Sequence, residues 1–265
     1  MSLQHQYTLA KKYLHYYFTA GNRHDVHSPF VYALIEEVLR DKTAKADFAE
    51  IELYRKSLLQ SEETLQVTDL GAGSLVSDGA QRKVRDITRH AAKPAKFGQL
   101  FYRLAQYFKP RYLLELGTSM GLSTAYMAKA QADSTVYTIE GCPNIARKAG
   151  QNFGALHIPN ITQLVGNFDT VLPQVLQQIP RLDWVYIDGN HRKAPTLEYF
   201  RQCLAHVQED SIFIFDDIHW TPDMEEAWHT IQANEQVTLT IDLFFIGLVF
   251  FRKDFKIKQH FVLKY

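Results

Sequence analysis

Two short segments of this 265-residue sequence combine an acidic residue with closely spaced glycines. One runs from Asp69 to Ser74 and reads DLGAGS, and the other runs from Glu115 to Gly121 and reads ELGTSMG. In each segment an acid is followed by an apolar residue and then by a glycine. A glycine turn between a strand and a helix can hold a nucleotide-like cofactor against backbone N–H groups. Both segments are therefore candidate cofactor turns.

The residues that follow each turn favour the Glu115–Gly121 segment. Gly121 is followed by an apolar helical pattern and then by TVYTIE, which places Glu140 at the end of a strand, 23 residues after Gly117. In a strand-helix-strand unit this spacing places a carboxylate beside the ribose of a cofactor bound at the turn. No such helix and strand follow Gly73. We therefore predict that the Asp69–Ser74 segment is a structural turn.

Ser119 indicates which cofactor the turn accepts. Dinucleotide sites need a glycine at this middle position, because the pyrophosphate approaches the backbone there. S-adenosylmethionine has no phosphate and carries a positive sulfonium. The acid Glu115 suits its ammonium group, and Glu140 suits its ribose diol. The sequence therefore predicts S-adenosylmethionine rather than NAD.

A second group of acids follows two apolar strands further along the chain. Asp188 follows WVYI, and the pair Asp216 and Asp217 follows IFIF. If these strands are neighbours, their ends lie about 5 Å apart, and carboxylates that close resist ionising without a cation. The spacing predicts a divalent-metal site at Asp188, Asp216 and Asp217, and an all-oxygen set of this kind suits Mg²⁺.

His191 stands three residues after Asp188, on the turn that leaves the strand. A neutral histidine can accept a proton near pH 7, so we predict that His191 is the catalytic base and acts together with Asp188. The alternative is a metal-free reaction in which His191 and the acids act alone.

The elements that must position these residues alternate between strand and helix from residue 97 onward. This order predicts a Rossmann-like, doubly wound α/β sheet that is mostly parallel. The last two strands, near residues 237–253, are joined by a short turn and must pair antiparallel. Residues 1–95 lack this alternation, and their pattern predicts a helical N-terminal extension or cap. The apolar strands are predicted at 111–116, 135–139, 161–165, 183–187 and 212–215.

Composition restricts the possible partners and the compartment. Lys+Arg and Asp+Glu number 29 each, so no overall basic field attracts nucleic acid. Two cysteines in a chain of this length indicate a reducing compartment. The N-terminus lacks the apolar stretch of a signal peptide, and the most apolar run, Leu243 to Phe251, is too short for a membrane-spanning helix. We expect a cytoplasmic protein with neither membrane nor nucleic acid as partner.

Three segments carry a resemblance to a known family: KFGQLFYRLAQYFKPRYLLELGTSMGLSTAYMA, WVYIDGNHRKAPTLEYF and IFIFDDIHW. Over residues 96–252 the sequence resembles the class I S-adenosylmethionine-dependent methyltransferases, within them the O-methyltransferases similar to catechol and caffeoyl-coenzyme A enzymes. The resemblance implies a methyltransferase domain over 96–265, a seven-stranded sheet with an antiparallel last strand, and dimers as a usual state.

The resemblance also implies roles by position. In the metal-dependent branch one Asp ends the fourth strand and an Asp-Asn pair ends the fifth; here Asp217 replaces the Asn. His191 stands where the catechol enzymes carry a catalytic Lys. The implied cofactor-binding residues are Glu115, Gly117, Thr118, Ser119, Gly121, Ser123, Glu140, Asn167, Phe168, Asp169 and Asp188.

The predicted function is therefore S-adenosylmethionine-dependent O-methylation of a small molecule, assisted by a divalent metal, Mg²⁺. The alternatives are a metal-free methyltransferase, or a non-catalytic cofactor-binding protein whose N-terminal region contacts a partner. We also predict that the aromatic N-terminal segment packs over or beside the site and shapes the acceptor pocket. Its aromatic residues include Tyr13, Tyr16, Tyr17, Phe18, Phe30 and Tyr32.

Overall fold

The computed structural model describes residues 3–68 and 81–265. These residues form two compact units, which we call the central unit (40–68 and 81–179) and the terminal unit (3–39 and 180–265). Each unit is described by itself. Among the described residues, no helix is both long enough and apolar enough to cross a membrane.

The central unit is built on three parallel strands in the order β3-β4-β5. Helices form both crossover connections, as parallel neighbours require. A short antiparallel ribbon of β1 and β2 lies outside this array. The elements are α3 (Ala46–Gln60), β1 (Thr64–Gln66), β2 (Gln81–Lys83), α4 (Val84–Ala91), α5 (Ala95–Phe108), β3 (Tyr112–Leu116), α6 (Leu122–Ala130), β4 (Thr135–Glu140), α7 (Pro143–Ala155), β5 (Ile161–Val165) and α8 (Phe168–Gln178).

The terminal unit is built on five strands in the order β10-β8-β9-β7-β6. The pair β6-β7 is parallel, whereas β9 runs antiparallel to both β7 and β8. The elements are α1 (Leu3–Thr19), α2 (Pro29–Leu34), β6 (Leu182–Ile187), α9 (Lys193–Leu204), β7 (Val207–Asp216), α10 (Pro222–Ala233), β8 (Leu239–Asp242), β9 (Ile246–Phe250) and β10 (Gln259–Val262).

The burial of the strands explains why they appear as apolar segments in the sequence. Every residue of β6 and β9 is buried, as are the last four residues of β3. Strands buried on both faces give continuous apolar runs rather than alternating patterns. Burial of this kind is the main favourable term that holds the helices against the strands.

The structure adds elements that the sequence patterns did not predict. Helix α8 contains Pro173 within its length, which obscures a helical pattern because proline usually interrupts helices. Helix α9 follows the acidic turn after β6. The expected antiparallel strand is β9, and β10 then pairs parallel with β8 as a further short strand. The boundary predicted between residues 95 and 96 stays a prediction.

Candidate active site

The turn between β3 and α6 has an unusual backbone conformation. Gly117, Ser119 and Gly121 all have positive φ, at 106°, 48° and 75°. A Cβ atom on Gly121 would lie 2.4 Å from Cε1 of Phe153, so both backbone conformation and space require glycine there. The N–H of Gly117 donates to the carbonyl of Ile139 over 3.0 Å, which fixes the turn to β4.

Glu140 lies against this turn, as the spacing predicted. Its Oε2 accepts from the N–H of Ser119 at 2.9 Å, and its Oε1 accepts from the N–H of Cys142 at 3.0 Å. One carboxylate therefore joins the end of β4 to the middle of the glycine turn. It lies at the carboxyl end of a parallel strand, where ligands bind in open α/β sheets.

Glu115 is buried, with 1% of its surface exposed. Its Oε2 accepts from the hydroxyl of Thr138 at 2.6 Å and from the hydroxyl of Thr124. The hydroxyls of Thr118 and Thr138 lie 2.5 Å apart. Glu115 and Thr118 thus belong to a buried hydroxyl-carboxylate network at the turn, and their predicted contact with the cofactor stays a prediction.

The remaining predicted cofactor residues of the central unit follow β3 and β5. Ser123 lies in the first turn of α6 and is partly exposed. Asn167 is the N-cap of α8, and its side chain accepts from the N–H of Asp169 at 2.9 Å. Phe168 is partly exposed and Asp169 is exposed. Asn167 therefore has a local structural role, and adenine contacts by these three residues remain predictions.

A hydrogen-bonded chain that the sequence analysis missed supports the glycine turn. Asn152 of α7 is 1% exposed, and its Nδ2 donates to the carbonyl of Met120 at 2.9 Å. The hydroxyl of Tyr54 on α3 donates to Oδ1 of Asn152 at 2.9 Å. An amide on the buried face of a helix was the signal that could have identified Asn152, because buried polar groups need partners.

The alternative glycine segment, Asp69 to Ser74, lies outside the described residues. Immediately before it, the N–H of Thr68 donates to Sγ of Cys142 at 3.3 Å. Cys142 is the residue before α7 and is buried. Thr68 therefore lies beside the residues that follow Glu140.

In the terminal unit, Asp188, His191 and Asp216 come together. Ile187 of β6 pairs with Phe215 of β7 in parallel register, so the residues that follow them lie at the same edge. One ligand atom from each of the three side chains lies within 4.8 Å of the other two. Nε2 of His191 lies 3.6 Å from Oδ1 of Asp188, and the hydroxyl of Tyr186 donates to Oδ2 of Asp188 at 2.8 Å.

Asp217, which we expected as a third carboxylate ligand, is not part of this group of ligand atoms. Its backbone is left-handed, with φ at 52°, and its N–H donates to the carbonyl of Phe245 at 2.8 Å. The described group contains His191 in its place. Asp188 and Asp216 lie at the same edge because their strands pair in parallel register, and metal ligation by Asp217 stays a prediction.

His219 is held between two carboxylates in the loop that follows β7. Its Nε2 lies 2.7 Å from Oδ2 of Asp242, and its Nδ1 lies 3.1 Å from Oε1 of Glu225. Burial lowers the pKa of His219, but the hydrogen bonds and charges of Asp242 and Glu225 outweigh burial and raise it above its ordinary value. Both ring nitrogens can then donate, as the imidazolium requires.

Helix α1 contacts this loop and its neighbours within the terminal unit. Lys12 pairs with Glu225 at 2.7 Å, and the rings of His5 and Trp220 are 5.1 Å apart. The ring of Tyr13 lies 5.6 Å from that of Phe245. The aromatic segment therefore packs beside the loop that follows Asp216, and its predicted role in shaping an acceptor pocket stays a prediction.

Comparisons with known proteins agree with this architecture. Residues 114–218 match a family model described as a methyltransferase domain. This range includes the Glu115–Gly121 turn and both acidic positions of the terminal unit. The chain is 29% identical over 124 residues to a catechol O-methyltransferase of Niastella koreensis, a match that covers 46% of this chain and 55% of that protein. The match thus spans about half the length of that curated relative.

Two solved structures are similar in fold. The O-methyltransferase TomG from Streptomyces achromogenes, in complex with S-adenosylmethionine, has a TM-score of 0.57 at 18% identity, covering 84% of this chain and 95% of that one. An O-methyltransferase from Bacillus cereus, in complex with S-adenosylhomocysteine, has a TM-score of 0.56 at 17% identity, covering 83% and 96%. The expected Rossmann-like α/β fold is confirmed, and the family-model match agrees with the resemblance to methyltransferases.

Proposed function

We propose that this chain, a relative of the class I methyltransferases, is an S-adenosylmethionine-dependent O-methyltransferase that acts on a small molecule. The observation that carries the proposal is the Glu140 carboxylate held at 2.9 Å from the Ser119 N–H of a turn with three positive φ angles. Ser119 stands where a dinucleotide site needs glycine, and Glu140 offers acceptors for a ribose diol.

We assign cofactor binding to residues of the central unit. Glu140 would exchange hydrogen bonds with the ribose hydroxyls. The backbone of Gly117 to Gly121 would approach the methionine moiety, and the buried Glu115 would supply negative charge near its ammonium group. The hydroxyl network around Glu115 holds that charge in place, so the cofactor meets a preorganised field.

We assign the activation of the methyl acceptor to residues of the terminal unit. Methyl transfer needs the acceptor oxygen in line with the sulfonium carbon, and positioning supplies much of the rate. The oxygen must also lose its proton. Asp188, Asp216 and His191 form a donor set that fits a divalent cation, and such an ion would lower the pKa of a bound hydroxyl. In the metal-free alternative, His191 itself takes the proton, and the charge of Asp188, 3.6 Å away, would stabilise the charged ring.

Several finer points belong to the same proposal. We expect an aromatic hydroxyl as acceptor, by analogy with the catechol O-methyltransferase relative. We also propose a cytoplasmic protein, a homodimer, and an N-terminal region, residues 1–95, that acts as a cap on the methyltransferase domain of residues 96–265.

Calorimetry with S-adenosylmethionine, its demethylated product and NAD tests the cofactor assignment. The first two should bind and NAD should not. Glu140→Ala should weaken binding by about 1–3 kcal/mol, the cost of unpairing hydrogen bonds to a charged group. The matched control is Asp133→Ala, which removes an exposed carboxylate of the central unit. Equal affinities for the two variants would contradict the ribose role of Glu140.

Mass spectrometry of a panel of small phenols tests turnover. The expected result is methylated product with equimolar demethylated cofactor. The same assay in excess chelator separates the two mechanisms, because full activity there would favour the metal-free alternative. Cofactor binding without turnover on any acceptor would favour a non-catalytic binding protein.

A further inference from the structure

We infer that His191 is a metal ligand, together with Asp188 and Asp216, and that its nitrogen makes this site select transition-metal ions over Mg²⁺. The inference deepens the proposed function, and it rests on that function only for the role of the ion in methyl transfer. The ligand set itself is argued from the terminal unit alone. It replaces the all-carboxylate set expected from the sequence and gives His191 a role other than catalytic base.

The distance between His191 and Asp188 favours a shared ion over a direct bond. Nε2 and Oδ1 are 3.6 Å apart, which is too long for a hydrogen bond. Two ligands that each lie about 2.1 Å from one ion are separated by about 3.0 Å at right angles and about 4.2 Å when opposite. The observed separation falls between these limits. A ligand atom of Asp216 lies within 4.8 Å of one from each of the other two side chains, so bringing all three to about 2.1 Å from one ion needs inward movements of about 0.7 Å at most.

Neighbouring residues hold Asp188 in the orientation that a ligand needs. The hydroxyl of the fully buried Tyr186 donates to Oδ2 at 2.8 Å, which leaves Oδ1 as the oxygen nearest His191. Hydrogen bonds of this kind to the outer oxygen of a ligating carboxylate are typical of metal sites. A simple surface ion pair would need no such orientation by a buried hydroxyl.

The turn between Asp188 and His191 is also fixed. Asn190 has a left-handed backbone with φ at 64°, and its Nδ2 donates to the hydroxyl of Tyr199 at 3.1 Å. Tyr199 is 1% exposed, so the anchor lies in the core of the terminal unit. This turn returns the chain so that the imidazole of His191 lies near the carboxylate of Asp188.

The donor types then decide which ion is held. Carboxylate oxygens alone suit Mg²⁺ and Ca²⁺, whereas an imidazole nitrogen suits Zn²⁺, Fe²⁺ and Ni²⁺. For a mixed nitrogen and oxygen site, affinity rises along the first-row series from Mn²⁺ to Cu²⁺ and falls again at Zn²⁺. A set of one nitrogen and two oxygens therefore favours Co²⁺ or Zn²⁺ over Mg²⁺. An ion held by these three side chains would take its remaining ligands from water or from acceptor oxygens.

Titration of the metal-free full-length chain with CoCl₂ and MgCl₂ tests the inference, by calorimetry and by the visible absorption of Co²⁺. The wild type should bind Co²⁺ at least about tenfold more tightly than Mg²⁺. His191→Ala should weaken Co²⁺ binding by at least about tenfold, since even outer-shell partners contribute that much. His191→Asp restores an oxygen set, so it should move the preference back towards Mg²⁺.

Two further variants complete the design. His229→Ala removes an exposed histidine of α10 and should leave both affinities unchanged. Tyr186→Phe keeps the core volume but removes the bond to Asp188, and it should weaken Co²⁺ binding by about 10–100-fold. Circular dichroism confirms that each variant is folded.

The outcomes separate this inference from the proposed function. If His191→Ala binds Co²⁺ as the wild type does, or if the wild type binds neither ion, the ligand role is overturned. Because these titrations contain no cofactor or acceptor, they remain decisive whether or not the chain transfers methyl groups. A chain that binds Co²⁺ through His191 but does not bind S-adenosylmethionine would keep the inference and refute the proposed function.

Discussion

The hydrogen-bonded chain from Tyr54 through Asn152 to the carbonyl of Met120 gives a quantitative prediction for the cofactor turn. Asn152→Ala removes the donor to that carbonyl, which lies on a residue only 1% exposed. A buried group left without a partner costs about 1–3 kcal/mol, and the space left by the amide adds roughly 1 kcal/mol. We therefore expect the free energy of unfolding to fall by about 2–4 kcal/mol.

Cofactor affinity should fall as well, because the carbonyl of Met120 lies between Ser119 and Gly121. A turn that samples other conformations must be reordered on binding, and a cost of about 1–2 kcal/mol would raise Kd by about 5–30-fold. Urea unfolding followed by circular dichroism gives the stability, and calorimetry with S-adenosylmethionine gives Kd.

A double-mutant cycle tests whether the three groups act as a chain. Tyr54→Phe alone should cost about 0.5–1.5 kcal/mol, but in the Asn152→Ala background it should cost almost nothing, because its acceptor is gone. The matched control is Tyr102→Phe, which removes a 2.8 Å bond to Asp47 on the same helix α3. The control should reduce stability and leave Kd unchanged. An Asn152→Ala variant with the wild-type Kd would refute the link to the turn.

Two other predictions concern the turn and the loop after β7. Gly121→Ala should lower the free energy of unfolding by about 1–2 kcal/mol for the left-handed backbone alone. The approach of its Cβ to within 2.4 Å of Phe153 adds a further cost. In denaturant titrations, adding Phe153→Leu should relieve the steric cost but not the backbone cost. The raised pKa of His219 means that its stabilising contribution is complete below its unfolded pKa of about 6.5 and is lost as pH rises through the folded pKa. The stability difference between wild type and His219→Gln should therefore shrink as pH rises above about 6.5. A constant difference would show that Asp242 and Glu225 do not hold a charged ring.

The cofactor turn could be predicted from the sequence because its parts are close along the chain. A strand, a glycine turn, a helix and a second strand fix where Glu140 must lie relative to Gly117, since parallel neighbours admit one handedness of crossover. The bond from Ser119 to Glu140 follows from that local order. The same reasoning placed Asp188 and Asp216 at one edge of neighbouring strands.

Tertiary structure alone decided which side chains complete each group. The N–H of Asp217 donates to the carbonyl of Phe245, just before β9. The spacing after β7 could not reveal that Asp217 stays outside the group that Asp188, His191 and Asp216 form. Asn152 reaches Met120 only because α7 packs beside the turn, and Tyr54 reaches Asn152 across almost a hundred residues. The local order of strands and helices determines at which edge of the sheet the last residue of a strand lies. The partner of a buried polar group is instead set by tertiary packing, which brings a distant segment within hydrogen-bond distance.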